Sequence, residues 1–108
     1  MTFDYYQQES KKTAIYPKER GLEYVLLGLA GECGEILNKY KKVIRDFNGV
    51  LTEEKRNEMK KELGDIIWYL SQLCTELNCD FDKVAEENLN KLFSRKKRGV
   101  LGGSGDNR

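Results

Sequence analysis

The residues of this chain best suited to chemistry are two acidic pairs, Glu32 with Glu35 and Glu62 with Asp65. In each pair the members stand three apart, a spacing that puts both on one face of a helix. Two such pairs on adjacent helices can bring four carboxylates to one place. Converging carboxylates repel one another unless a cation sits among them. An all-oxygen ligand set suits Mg2+ or Mn2+. Helical di-iron sites use Glu-x-x-His pairs, and the chain has no histidine, so iron is disfavoured. The missing histidine also removes imidazole acid–base catalysis and imidazole activation of a nucleophile. Any chemistry must run on carboxylates, Lys, Arg, Tyr or hydroxyls.

A cationic set lies further along. Asn88, Lys91, Arg95 and Arg98 recur at i, i+3, i+7 and i+10 and form one polar stripe. Val84, Ala85, Leu89, Leu92 and Phe93 fill the opposite side. Lys and Arg held on a rigid helix suit phosphate oxygens, which Arg binds bidentately. A metal clamp and a cationic clamp together serve phosphoryl chemistry on a polyphosphate. Taken alone, the basic stripe would equally complement a helix C-terminus. Lys39 follows Glu35 by four, and Tyr69 follows Asp65 by four, so both join the acidic faces. Tyr69 could stack on a base or sugar, or serve an interface.

These residues need long helices to position them. Asp4 can cap a short first helix ending near Thr13, and Pro17 marks a loop from Ala14 to Gly21. A second helix is expected over about Leu22–Asp46, closed by Asn48-Gly49. Thr52 caps a third, running to about Leu77. Asp80 or Asp82 caps a fourth, ending near Lys97. At about 100° per residue, with Glu32 at zero, Glu35 falls near 300°. Val25, Leu26, Leu29, Cys33, Ile36, Leu37, Tyr40, Val43 and Ile44 span about 20–140°. With Glu62 at zero, Asp65 again falls near 300°, and Leu63, Ile66, Ile67, Leu70, Leu73, Cys74 and Leu77 span about the same arc. Each helix thus carries its acidic pair at the same edge of its apolar stripe, and antiparallel packing through the stripes would let the carboxylates meet. Gly28, Gly31, Gly34 and Gly64 interrupt these helices beside the acidic residues. Each costs about 0.5–1 kcal/mol against Ala, which points to close approach of a ligand or of another helix. Trp68 lies off the stripe, near 240°, and implies a partner subunit or a nucleobase.

The 108 residues fit one domain, 1–98, followed by a Gly-rich and by composition flexible tail, 99–108. A net charge of +1 argues against stable nucleic-acid binding. No apolar run is long enough for a bilayer, and Met1-Thr2-Phe3-Asp4 does not begin a secretory leader, so a cytoplasmic location is expected. Cys33, Cys74 and Cys79 have no zinc-type spacing, and Cys33 and Cys74 read as core residues. Trp68 and Tyr69 left outside the stripes call for a symmetric dimer, or a dimer of dimers, to cover them.

The segment Gly28–Glu35 (GLAGECGE), followed by Lys61–Tyr69 (KELGDIIWY), resembles the ExxE…ExxD signature of MazG-type pyrophosphohydrolases. Asn88–Gly99 (NLNKLFSRKKRG) resembles that family's basic last helix, and the tail is similar to the ending of small phage and bacterial members. The resemblance runs over roughly residues 3–108. It implies an all-α NTP pyrophosphatase fold, a bundle of four to five helices, working as a homodimer or homotetramer. It implies cleavage of a nucleoside triphosphate between the α- and β-phosphates, releasing a monophosphate and pyrophosphate. By motif position Glu32, Glu35, Glu62 and Asp65 would ligate Mg2+, or Mn2+ in its stead. Lys91 and Arg95 would hold phosphates, with Arg98 a further candidate. Either Glu32 or Glu35 would act on the attacking water. A reading from a different class is a non-catalytic helical oligomer, an interaction or regulatory module with a structural cation. It predicts metal binding or self-association without turnover.

Overall fold

The computed structural model describes residues 1–108 and contains four α-helices and no strand. Helix α1 is Phe3–Ser10, extended by a 3-10 turn over Lys11–Thr13. Its cap is Thr2, whose hydroxyl accepts from the Tyr5 amide at 2.9 Å. Asp4, expected in that role, does something else. Its carboxylate accepts from the Asp82 amide at 2.9 Å, while Asp82 accepts from the Phe3 amide at 3.0 Å. The first turns of α1 and α4 (Phe81–Arg98) therefore cap each other, each giving a carboxylate to the other's unpaired amides. Their rings, Phe3 and Phe81, meet at 4.6 Å between centroids.

After a second 3-10 turn, Lys18–Arg20, helix α2 runs over Gly21–Phe47. Asn48 (φ 52°) and Gly49 (φ 75°) stop it in the left-handed region. Thr52 caps α3, Glu53–Glu76, by accepting from the Lys55 amide. That helix closes in a Schellman turn: Cys79 donates to the Cys74 carbonyl and Asn78 (φ 56°) to that of Thr75. Gln7 of α1 then ties the α3–α4 link together. Its amide nitrogen reaches Thr75 Oγ1 and the Cys79 carbonyl, and its amide oxygen takes the Phe81 amide.

Helices α2 and α3 form the main pair, and they are antiparallel, because early positions of one meet late positions of the other. Gly21 faces Glu76, Gly28 faces Tyr69, and Lys39 reaches Glu62. The α2 side of the seam is the row Gly21, Val25, Gly28, Leu29, Glu32, Ile36, Lys39 and Val43, all buried or half-buried. The row is centred on Glu32, not on the middle of the apolar stripe. Likewise Lys55, Met59, Glu62, Ile66, Tyr69 and Leu73 of α3 are half-buried in a row centred on Glu62. The two helices thus meet through the acidic edges of their stripes. The other half of each stripe is left uncovered: Leu26, Leu37, Tyr40 and Ile44 on α2, and Leu63, Ile67 and Leu70 on α3. Cys33 lies on that uncovered half and is exposed, contrary to the core position expected from its place in the stripe; Cys74 is buried.

A third face of α3, polar in sequence, is where α1 docks. Ser71 and Gln72 are fully buried there, Ser10 Oγ pairs with Ser71 Oγ at 2.9 Å, and Gln72 donates to Ser10 at 2.8 Å. Trp68 belongs to this face. Its indole donates to Thr13 Oγ1 at 2.8 Å and meets the Tyr16 ring edge-on. The chain's own N-terminal segment therefore engages the tryptophan for which a partner or a base was expected. No helix is long and apolar enough to cross a membrane.

Helix α4 packs chiefly on α1, and its Leu89 and Phe93 stay exposed. Beyond it, Gly99 (φ 74°) and Gly105 (φ 90°) turn residues 99–108 back. The Arg108 guanidinium gathers the carbonyls of Val100, Leu101 and Gly105.

Candidate metal centre

Glu32 sits mid-way along α2, and Glu62 and Asp65 sit one turn apart on α3. The seam brings one carboxylate oxygen from each within 4.8 Å of the other two. Glu32 and Glu62 are half-buried and Asp65 is exposed. Crowding shows in the electrostatics. Burial raises the Glu32 carboxyl above its ordinary range, reinforced by a hydrogen bond with Glu62 and by the charges of Asp65, Glu62 and Glu35. Three carboxylates at this spacing form a hard, all-oxygen donor set of the kind that takes Mg2+ or Mn2+. Glu35 faces outward and is not in the cluster, though its charge is felt at Glu32. The only cation to touch the group is Lys39, with Nζ 3.6 Å from Glu62 Oε1.

Beside the cluster lies an open cavity of about 300 Å³ lined by Glu32, Asp65, Trp68 and Tyr69. Tyr69 reaches it by crossing over α2 at Gly28. A Cβ there would stand 2.1 Å from Tyr69 Cε1 and 2.3 Å from Cζ, so only glycine admits the ring. Gly31, Gly34 and Gly64 have nothing within 4 Å of a Cβ; of the four glycines beside the acidic pairs, one makes a close approach within the chain. The Tyr69 phenol is pushed up by burial, by Tyr24 and by the charges of Glu32 and Asp65. Trp68 meets Tyr69 edge-on at 5.0 Å, and Tyr24 stacks on Tyr16. Burial, and then the charge of Asp65, raises the Tyr6 phenol. Tyr6 beside Asp65, Tyr16 beside Trp68 and Tyr24 beside Tyr69 were not legible as parts of the site's surroundings. Tyr6, Tyr16 and Tyr24 lie on α1, the loop and the start of α2, and no helical spacing links them to the cluster.

The basic stripe stands apart within one chain, with no hydrogen bond or ion pair to the acidic cluster. Asn88 and Lys91 line a separate surface hollow of about 340 Å³ on α4, beside Glu87. Arg95 is buried, at 6% exposure, and donates to the Asp106 carbonyl at 2.7 Å. Arg98 bonds Ser94 and the backbone oxygen of Arg108.

Residues 20–100 match the family model described as the MazG nucleotide pyrophosphohydrolase domain. The chain is also similar to the Gene 37 protein of Mycobacterium phage L5, at 51% identity over 114 aligned positions covering all of both chains. No solved structure matches.

Proposed function

This chain belongs to the MazG nucleotide pyrophosphohydrolase family, and we propose that it is a Mg2+-dependent, cytoplasmic nucleoside triphosphate pyrophosphohydrolase. It would split an NTP or dNTP between the α- and β-phosphates into a monophosphate and pyrophosphate, with Mn2+ able to replace Mg2+. The observation that carries this reading is the convergence of Glu32, Glu62 and Asp65 beside an aromatic-walled cavity. These three would hold the ion, with Glu35 joining them once substrate and metal are present. A divalent ion at this site supplies positive charge to the polyphosphate and lowers the pKa of a water molecule. Glu32 or Glu35 would orient that water or take its proton. Tyr69 would lie against base or sugar. Lys39, Asn88 and Lys91 would bind phosphate oxygens, and Arg95 and Arg98 would join them on giving up the tail carbonyls they now bond.

A second copy of the chain completes the proposal, as a homodimer or homotetramer. Only 11 of 108 residues are buried, while Leu37 (69%) and Phe93 (62%) stand open. The radius of gyration is 17.0 Å, against about 13 Å for a compact chain of this length. Covering the open halves of the α2 and α3 stripes would remove this apolar surface and bring a basic α4 toward a neighbour's carboxylates.

The test is to incubate purified protein with each NTP and dNTP plus Mg2+ and identify the products. Monophosphate and pyrophosphate, abolished by EDTA, are expected. Orthophosphate and diphosphate would move the cleavage site. Metal binding without turnover of any nucleotide would favour the non-catalytic oligomer. Sedimentation at micromolar concentration should show a dimer or larger; a monomer would remove the shared site.

A further inference from the structure

Lys39 occupies a place that a lysine does not take without a reason. It lies two helical turns beyond Glu32 in the α2 row that faces α3, where half-buried Ile36 and buried Val43 flank it one turn to either side. Its side chain is 31% exposed and that of its partner Glu62 only 14%. A lysine drawn this far from water loses hydration unless an opposite charge meets it. Glu62 supplies that charge, and Glu62 is a member of the carboxylate cluster. Yet the contact is loose. At 3.6 Å it is well beyond the roughly 2.7–2.9 Å of a tight ammonium–carboxylate hydrogen bond. The four-carbon stem leaves the ammonium free to swing without moving the helix.

The charges count in the same direction. Glu32, Glu62 and Asp65 carry three negative charges when ionised, and Lys39 returns one. A divalent ion among the carboxylates cuts their net charge from −3 to −1, so far less negative charge is left to hold the ammonium. The ion and the ammonium then compete for Glu62 and repel each other. We infer that Lys39 is the resident counter-ion of the cluster, paired with Glu62 while the divalent ion is absent and released toward a phosphate oxygen of the polyphosphate when the ion enters. The inference rests on the metal-centre reading above. It adds an order of events: the ion binds first, and its arrival presents a lysine to the substrate. Lys39 is on this account a positioning residue at Glu62 and a binding residue at the phosphate.

Two effects of opposite sign follow from removing the ammonium. Lys39→Met should bind Mn2+ more tightly than the parent, on the order of tenfold, because a competing positive charge is gone. The same variant, once loaded with Mn2+, should bind inorganic pyrophosphate more weakly. Lys39→Arg keeps the charge and should stay close to the parent in the Mn2+ arm. The measurement is calorimetric titration of the full chain with Mn2+ alone, then of the Mn2+-loaded protein with pyrophosphate, after circular dichroism has shown equal helicity. Unchanged or weaker Mn2+ binding in Lys39→Met, with the parent binding normally, overturns the role of Lys39 and leaves the metal centre standing. Should Lys39→Met not fold, Lys39→Gln takes its place in both arms under the same criteria. No Mn2+ binding by the parent overturns the metal centre itself, and the inference with it.

Discussion

Gly28→Ala isolates the contact that brings Tyr69 to the carboxylates. The added methyl carbon would lie 2.1 Å from one ring atom of Tyr69 and 2.3 Å from another. Both belong to a rigid ring, so the ring or the helix must move. Overpacking of this kind costs about 1–3 kcal/mol. Replacing glycine by alanine inside a helix returns about 0.5–1 kcal/mol. The balance is a loss of about 1 kcal/mol, which lowers the melting temperature of a domain this size by about 4–8 °C. Gly31→Ala, three residues on, is the control. Its methyl group meets nothing within 4 Å, so the helix term acts alone and the melting temperature should rise by a few degrees. Thermal unfolding followed by circular dichroism, at one fixed protein concentration because association shifts the midpoint, separates the two. A Gly28→Ala protein that melts at or above the parent would refute the close approach of Tyr69 to α2. A fall for Gly31→Ala would mean that a second copy touches α2 at that point.

Three further outcomes are expected. Glu32 is held above its ordinary pKa, so its contribution favours the folded state below the usual glutamate range and is lost as pH rises through the raised value. In EDTA, the melting temperature of the parent relative to Glu32→Gln should therefore fall as the pH rises above the ordinary glutamate range; a flat difference would contradict the crowding. Burial pushes the Cys74 thiol up to about 11, leaving a thiolate fraction of about one in a thousand at pH 8. Cys33, exposed in the single chain, should thus be alkylated by iodoacetamide before Cys74 in dilute, dissociated protein and be shielded where a second copy covers the α2 stripe, as peptide mass spectrometry at two protein concentrations would show. Thr13→Val removes the acceptor of the Trp68 indole and should shift tryptophan emission to the red; an unchanged spectrum would mean that the N-terminal segment does not hold the ring.

Much of the helical frame was decided locally and could be read from the chain. Pro17, Asn48-Gly49, Thr52 and Asn78-Cys79 act on their own neighbours through fixed φ, left-handed backbone or a capping hydroxyl. The boundaries they set agree with those expected to within a residue or two. The i, i+3 spacing of Glu62 and Asp65, and the matching phase of Glu32 on its own helix, put three carboxylates within reach of one another before any contact was known. Such relations need only the pitch of a helix.

What the sequence could not decide was which face of each helix meets which neighbour. The apolar stripes of α2 and α3 run over more than 100°, wider than one partner helix can cover. Cys74 apart, the chain buries only their acidic edges and leaves Cys33 and Leu37 open. The opposite choice was made on the back of α3, where Ser71 and Gln72 are sealed under α1: Ser10 meets the Ser71 hydroxyl and the Gln72 amide nitrogen, while the buried Gln72 Oε1 is left without a partner; polarity alone reads as exposure until the partner is known. Asp4 is a local cap by position, yet it serves α4, because the end of α3 brings Asp82 beside it. Trp68 lies off the stripe in sequence but over Thr13 and Tyr16 in space. Glu35 shares a face with Glu32 yet points past the seam, since a pair of residues about 60° apart cannot both sit at the centre of a helix–helix contact. Each of these outcomes depends on contacts between distant parts of the chain, whose energies no local pattern records; only the packed structure could select among them.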